Sequence, residues 1–156
     1  METIANKPVW YVASEVELVY RSKVKPSERP LLSSSKCVYD LIKKTWDLDK
    51  IDFMEQFKVI FLNRANKVLG IYELATGGLT GVVADPRLIF AAAIKANAVG
   101  LILVHNHPSG NLKPSKADTD LTNKIKHAGL FLDITIADHL IISSESYYSF
   151  ADEGLL

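Results

Sequence analysis

The chain has 156 residues, enough for one domain whose core needs neither disulfides nor structural metals. Hydrophobic residues make up 48% and charged residues 23%, ordinary for a soluble globular protein. Eighteen basic residues balance eighteen acidic ones, so no global positive field draws the chain to nucleic acid, although a local patch stays open.

Cys37 is the only cysteine, read as a small buried hydrophobe in a protein of the reducing cytoplasm. The polar start METIANKPVW is not a secretory signal, and no apolar run approaches the ~20 residues of a membrane span.

Residues 9–20, VWYVASEVELVY, alternate as a β-strand with Val16, Leu18 and Tyr20 on one face. The polar segment RSKVKPSERP, with its two prolines, reads as a loop or arm. Ser33, Ser34 and Ser35 offer N-caps for a helix of about twelve residues, with Val38, Leu41, Ile42 and Trp46 along one face. Glu55 opens a strand, EQFKVIFLN, in which Phe57, Val59 and Phe61 alternate. Arg64 to Lys67 then turn the chain, and VLGIYELATG returns as the second strand of a hairpin. Gly77-Gly78 forms another turn before LTGVVA.

Asp85 as N-cap and Pro86 at the first helical position start a helix through LIFAAAIKANA, ended by Gly100. LILVHNH follows as a central strand covered on both faces. A helix from about Ser115 to His127 turns Leu121, Ile125 and Ala128 inward and stops at Gly129. FLDITIA and HLIIS make two closing strands, and YYSFADEG a short last strand or tail. The expected fold is α/β (α+β), a mixed sheet flanked by helices. Residues 1–54 belong to the same compact unit as residues 55–156.

The chemistry concentrates in LILVHNHPSGNLKPSKAD, residues 101–118. Alternate side chains of a strand share a face, so His105 and His107 point the same way. Catalytic zinc takes three protein ligands and keeps one position open, a set that His105, His107 and Asp118 would supply. Such a zinc lowers the pKa of water from about 15.7 toward roughly 7. A hydrolase then needs a general base and an oxyanion stabiliser, for which Glu55 and Ser115 are the candidates. Plainer readings stand beside this one. The two histidines can be partly buried polar residues with hydrogen-bond partners, and Ser115 to Asp118 is a capping box at a helix start. An N3 carboxylate can serve a helix start and a metal together.

His105-Asn106-His107-Pro108, then Ser115-Lys116-Ala117-Asp118, resembles the JAMM (MPN-plus) metalloprotease motif His-x-His-x7-Ser-x2-Asp. HNHPSGNLKPSKAD followed by TDLT, with DHLII further on, resembles more narrowly the bacterial RadC-like branch of that family, from about Glu55 to Phe150. The resemblance implies a cytidine-deaminase-like fold and a zinc ion held by His105, His107 and Asp118. It also implies an upstream glutamate as acid/base, matched by Glu55 with Glu73 as the fallback, and a role for Ser115 at the tetrahedral intermediate. Asn106 stands where many JAMM proteases carry Ser or Thr. Longer RadC-like proteins carry a DNA-binding-type helical region, of which the first fifty-odd residues, without a glycine before Gly70, show no helix-hairpin-helix turn.

His139 reads either as an orienting partner of a ligand or as a strand-end histidine with a structural hydrogen bond. His127, late in its helix, suits the helix dipole and is given no catalytic role. The first expectation is a zinc-dependent metallopeptidase acting on a peptide or protein. The second is a DNA-transaction accessory protein with a structural metal, resting on the resemblance and on Lys113, Lys116, Lys124 and Lys126. A His-Asn-His nuclease leaves Ser115 and Asp118 unexplained. A zinc nucleobase deaminase is excluded because its cysteine ligands are missing.

Overall fold

In the computed structural model, which describes residues 14, 19–77 and 83–156, the apolar runs pair into one five-stranded sheet. Its strands are β1 (Gln56–Leu62), β2 (Val68–Thr76), β3 (Gly100–Asn106), β4 (Thr135–Ile142) and β5 (Tyr147–Ser149), ordered β2-β1-β3-β4-β5. β1 is antiparallel to β2 and β3, β3 is parallel to β4, and β5 closes antiparallel on β4. The helices are α1 (Ser35–Thr45), α2 (Leu48–Ile51), α3 (Pro86–Lys95) and α4 (Lys116–Phe131). This is the mixed α+β sheet expected of the sequence. The strand expected over residues 9–20 falls mainly outside the described residues, as does most of the turn and apolar segment after Gly77.

All seven residues of β3 are buried, as its unbroken aliphatic run requires of a strand covered on both faces. Leu101 and Leu103 join Phe57, Val59, Ile89, Phe90 and Ile125 in the layer beneath α3 and α4. Ile102 and Val104 join Val38, Ile42 and Trp46 in the layer beneath α1, where Cys37 packs half-buried. Each large aliphatic or aromatic side chain in these layers contributes roughly 1.5–3 kcal/mol.

The helix starts follow the caps read in the sequence. The Ser34 hydroxyl accepts from Cys37 N at 3.2 Å, and Asp85 accepts from Arg87 N at 2.9 Å. The helix ends differ. α3 stops at Lys95 because Asn97 takes a left-handed conformation (φ 54°), which its short polar side chain tolerates, while Gly100 begins β3. α4 runs past Gly129 to Phe131. A Cβ at Gly129 would lie 2.3 Å from the Ile134 carbonyl oxygen, so this glycine makes room for the returning chain. The four-residue helix α2 carries no periodicity and was not expected.

FLDITIA and HLIIS are not two strands. β4 is continuous, with Leu101 opposite Ile136 and Ile102 opposite Asp138, so Ala137 is an extra, bulged residue. The polar Asp138 that suggests a break is buried instead. Its carboxylate accepts from Ser149 Oγ at 2.6 Å, Ala151 N at 3.0 Å and His139 N at 2.7 Å. The bulge also exchanges faces: Ile136 packs under α3 and α4, whereas Leu140, four residues on, packs under α1. His139 thereby comes to the face that carries His105.

Candidate metal centre

The centre forms where β3 emerges from the sheet beside its parallel neighbour β4, at the carboxyl ends of the strands. Strand alternation turns His105 and His107 to one side, with their Nε2 atoms 3.0 Å apart. A turn then closes from Gly110 N to His107 O at 2.9 Å, with Gly110 at φ 78° where a side chain would be strained. The turn places the Asn111 carbonyl 2.6 Å from His107 Nδ1. Since a carbonyl only accepts, Nδ1 carries a proton, which leaves the Nε2 lone pair of neutral His107 free.

His105 is oriented by a chain of side chains. The Thr122 hydroxyl donates to the Asp118 carbonyl at 2.6 Å and accepts from His139 Nδ1 at 2.6 Å. His139 Nε2 accepts from His105 Nδ1 at 2.8 Å, so His105 Nε2 is bare in its neutral form. His139 is fully buried between Phe57 and Phe150, and desolvation, followed by the charge of His105, holds its pKa well below the ordinary value. It therefore stays neutral and keeps its acceptor. The sequence left the role of His139 open, because it depends on the bulge at Ala137.

A further candidate donor comes from the start of α4. Ser115 Oγ accepts from Asp118 N at 3.1 Å, and Asp118 Oδ2 accepts from Ser115 N at 2.7 Å. The same carboxylate faces the histidines, Oδ1 3.2 Å from His105 Nε2 and Oδ2 3.6 Å from His107 Nε2. Partial burial opposes its charge, but the two histidines, when they carry a proton on Nε2, and the Ser115 N–H hold Asp118 well below the usual carboxylate range. The Asp118 contact comes first among the causes raising His107. The capping box and the site thus share one carboxylate.

Glu55 sits one residue before β1, and a carboxylate oxygen of it lies within 4.8 Å of a ring nitrogen on each of His105 and His107. Burial pushes its carboxyl up, against the pull of the two histidines. Glu73 does not share this face. It pairs across the sheet with Lys58, one residue out of phase with Phe57 and His105, and its carboxylate meets Lys58 Nζ at 3.6 Å. Ser115 is exposed, and its hydroxyl proton is not used by the cap. His127 bonds to the Asn123 carbonyl of its own helix.

The donor set fits a metal ion. A tetrahedral zinc with bonds of about 2.0–2.1 Å separates its ligand atoms by about 3.3 Å; the two Nε2 atoms are 3.0 Å apart, and Asp118 Oδ1 lies 3.2 Å from His105 Nε2. Glu55 with the two histidines forms another compact group that could hold a metal ion, a ligand atom of each lying within 4.8 Å of the others. A concavity of about 610 Å³ lies at the other end of β3, lined by Asn63, Arg64, Asp133 and Thr135, with no histidine in its wall. No helix among the described residues is long and apolar enough to cross a membrane.

Residues 32–155 match the family model of the RadC-like JAB domain. A UPF0758 protein of Flavobacterium johnsoniae is 54% identical over 101 residues, covering 65% of this chain and 44% of the relative. One from Salinibacter ruber is 43% identical over 110 residues, 70% of this chain and 46% of the relative. One from Leptothrix cholodnii is 37% identical over 142 residues, 90% of this chain and 63% of the relative. The chain spans about half the length of the curated relatives it matches.

Proposed function

The chain belongs to the RadC-like JAB domain family, and from that premise we propose that it is a zinc-dependent metallohydrolase of the peptidase or isopeptidase type. The observation that carries this reading is convergence: two bare Nε2 atoms and one ionised carboxylate face a common point beside a half-buried glutamate. His105, His107 and Asp118 would hold the metal. When bound, zinc acidifies water and polarises a carbonyl, bringing hydroxide chemistry to neutral pH.

Glu55 then accepts the proton of the attacking water and returns it to the leaving amine, a task suited to a carboxyl raised by burial. Ser115 Oγ–H donates to the developing oxyanion while its lone pair still caps α4. His139 and Thr122 keep the His105 tautomer fixed throughout. The substrate is a peptide or protein, and the single cysteine, Cys37, favours a cytoplasmic setting. The DNA-transaction reading has thinner support, since the charge balance is even and Lys116 of the lysine group is engaged by Asp120.

The test is incubation of the zinc-loaded protein with a proteome-derived peptide library. Cleavage by wild type that falls about 10²–10⁴-fold in Glu55→Gln, with zinc content unchanged, supports the assignment. Zinc below stoichiometric amounts in wild type, or cleavage unaffected by Glu55→Gln, overturns it.

A further inference from the structure

The residue between the two histidines has a task that neither histidine shares. Asn106 is fully buried, and its side chain leaves β3 on the face opposite to His105. Asn106 Oδ1 accepts from Gln56 N at 2.7 Å, and Nδ2 donates to Ile51 O at 2.7 Å and to Met54 O at 2.9 Å. The amide orientation is unambiguous, since two partners can only accept and the third can only donate. Met54 O belongs to the peptide bond before Glu55, and Gln56 N to the one after it. One side chain therefore grips both peptide groups that flank Glu55. Glu55 contributes a further tie, its carbonyl accepting from Gly77 N at 2.8 Å.

We propose that Asn106 is a positioning residue for the acid/base carboxylate, holding the segment 51–56 so that Glu55 faces the histidines. The inference rests on the hydrolase reading above for its catalytic consequence, though not for the clamp itself. The physical case is one of rigidity. A segment between a four-residue helix and a strand has few bonds of its own, and its backbone would otherwise sample several φ/ψ wells. Fixing the peptides on either side of one residue restricts its Cα–Cβ vector, and a misplacement of 1 Å is worth about 100-fold in rate. The three-residue spacing thereby couples two functions across one strand, metal donors on one face and the placement of the base on the other. A hydroxyl at position 106 could donate to only one of the two carbonyls, so the amide does what a shorter side chain cannot.

The test uses the full chain with Asn106→Ser, which keeps an acceptor for Gln56 N–H and one donor, and with Asn106→Ala. In Asn106→Ala, amide hydrogen exchange at Gln56 and Gly77, read in the metal-free protein, is expected to accelerate by tenfold or more while exchange in α4 holds. Bound zinc is expected to stay stoichiometric. Turnover of the peptide cut fastest in the library is expected to fall at least tenfold through kcat with KM steady. In a Glu55→Gln background the same Asn106 substitution is expected to change turnover no further, because Asn106 acts only through Glu55. A merely structural residue would lower both backgrounds alike, and that result overturns the proposal. Unchanged exchange at Gln56 in Asn106→Ala overturns the clamp, as does zinc lost in parallel with turnover, which would place the effect on the histidines. If wild type cuts no peptide, the hydrolase reading falls separately and exchange still decides the clamp.

Discussion

The two faces of β3 end their aliphatic runs in the same way and put the result to opposite use. Leu101 and Leu103 lead to His105, Ile102 and Val104 lead to Asn106, and both polar residues are essentially excluded from solvent. His105 is satisfied by side chains: His139, His107 and Asp118. Asn106 is satisfied entirely by backbone atoms. Side-chain partners can exchange a proton for a metal without moving the chain, whereas backbone partners are fixed by the fold. On the proposed reading, one face serves chemistry and the other geometry. Burial alone does not distinguish them; the kind of partner does.

The comparison breaks most visibly at Asn106. Asn106→Leu leaves two carbonyls and one N–H buried without partners, at about 1–3 kcal/mol each. A loss of roughly 3–9 kcal/mol is expected, a large share of the 5–15 kcal/mol that holds a domain together. Urea unfolding reads it directly, and a shift under 1 kcal/mol would mean that water reaches these groups.

On the opposite face the largest effect is on metal rather than on folding. Zinc at a thousand times its Kd should stabilise wild type by about 4 kcal/mol, seen as a rise in Tm that EDTA removes. Asp118→Ala is expected to abolish that rise and the stoichiometric zinc with it. Zinc kept by Asp118→Ala but lost in Glu55→Gln would instead make Glu55 the third ligand.

A smaller change should follow when the orienting chain is cut. His139→Leu leaves all donors in place but frees the His105 tautomer, and zinc affinity is expected to fall about 10–100-fold by competition with a chromophoric chelator. Unaltered affinity would assign His139 to packing against Phe150 alone.

The pH dependence follows from two opposite shifts. Asp118 is held below its ordinary value of 3.8, so its contribution to the metal-free fold is present above 3.8 and lost as pH falls through its depressed value. His107 is raised above 6.5, so its contribution is complete below 6.5 and lost as pH rises through its higher value. The pair should stabilise the metal-free protein most between 3.8 and 6.5. Zinc affinity should climb with pH above that window, because the ligands must shed protons. Tm against pH, with and without EDTA, compares the two, and parallel curves would contradict the metal assignment.

The smallest effect is expected at Glu73. Glu73→Gln removes a pair with Lys58 in which the glutamate is half exposed, so stability should change by no more than about 1 kcal/mol and turnover not at all. Loss of turnover would bring Glu73 back as the base.

Much of this was legible locally. The parity of His105 and His107, the capping box at Ser115 and Asp118, and the Asp85-Pro86 helix start are short-range patterns, and the structure keeps them as read. What could not be read depends on distant partners. The bonds of Asn106 reach 50 to 55 residues back, so nothing near it in the sequence announces a clamp. His139 reaches its face only through an extra residue in β4, and periodicity cannot locate a bulge when Asp138 beside it imitates a strand end. Gly129 was read as a stop because glycine so often follows a helix, whereas here it answers to the Ile134 carbonyl.

The bonds that join Asn106 to segment 51–56, and His139 to His105, also set an order of events. Glu55 comes from the residue before β1, and His105, Asp118 and His139 from β3, α4 and β4, so no hairpin or helix forming alone brings even three of them together. Contacts of such sequence separation close late and slowly during folding. A nascent chain therefore holds only fragments of the centre until β4 has docked against β3. Full metal loading would be a certificate of completed folding, issued once the whole sheet is in place.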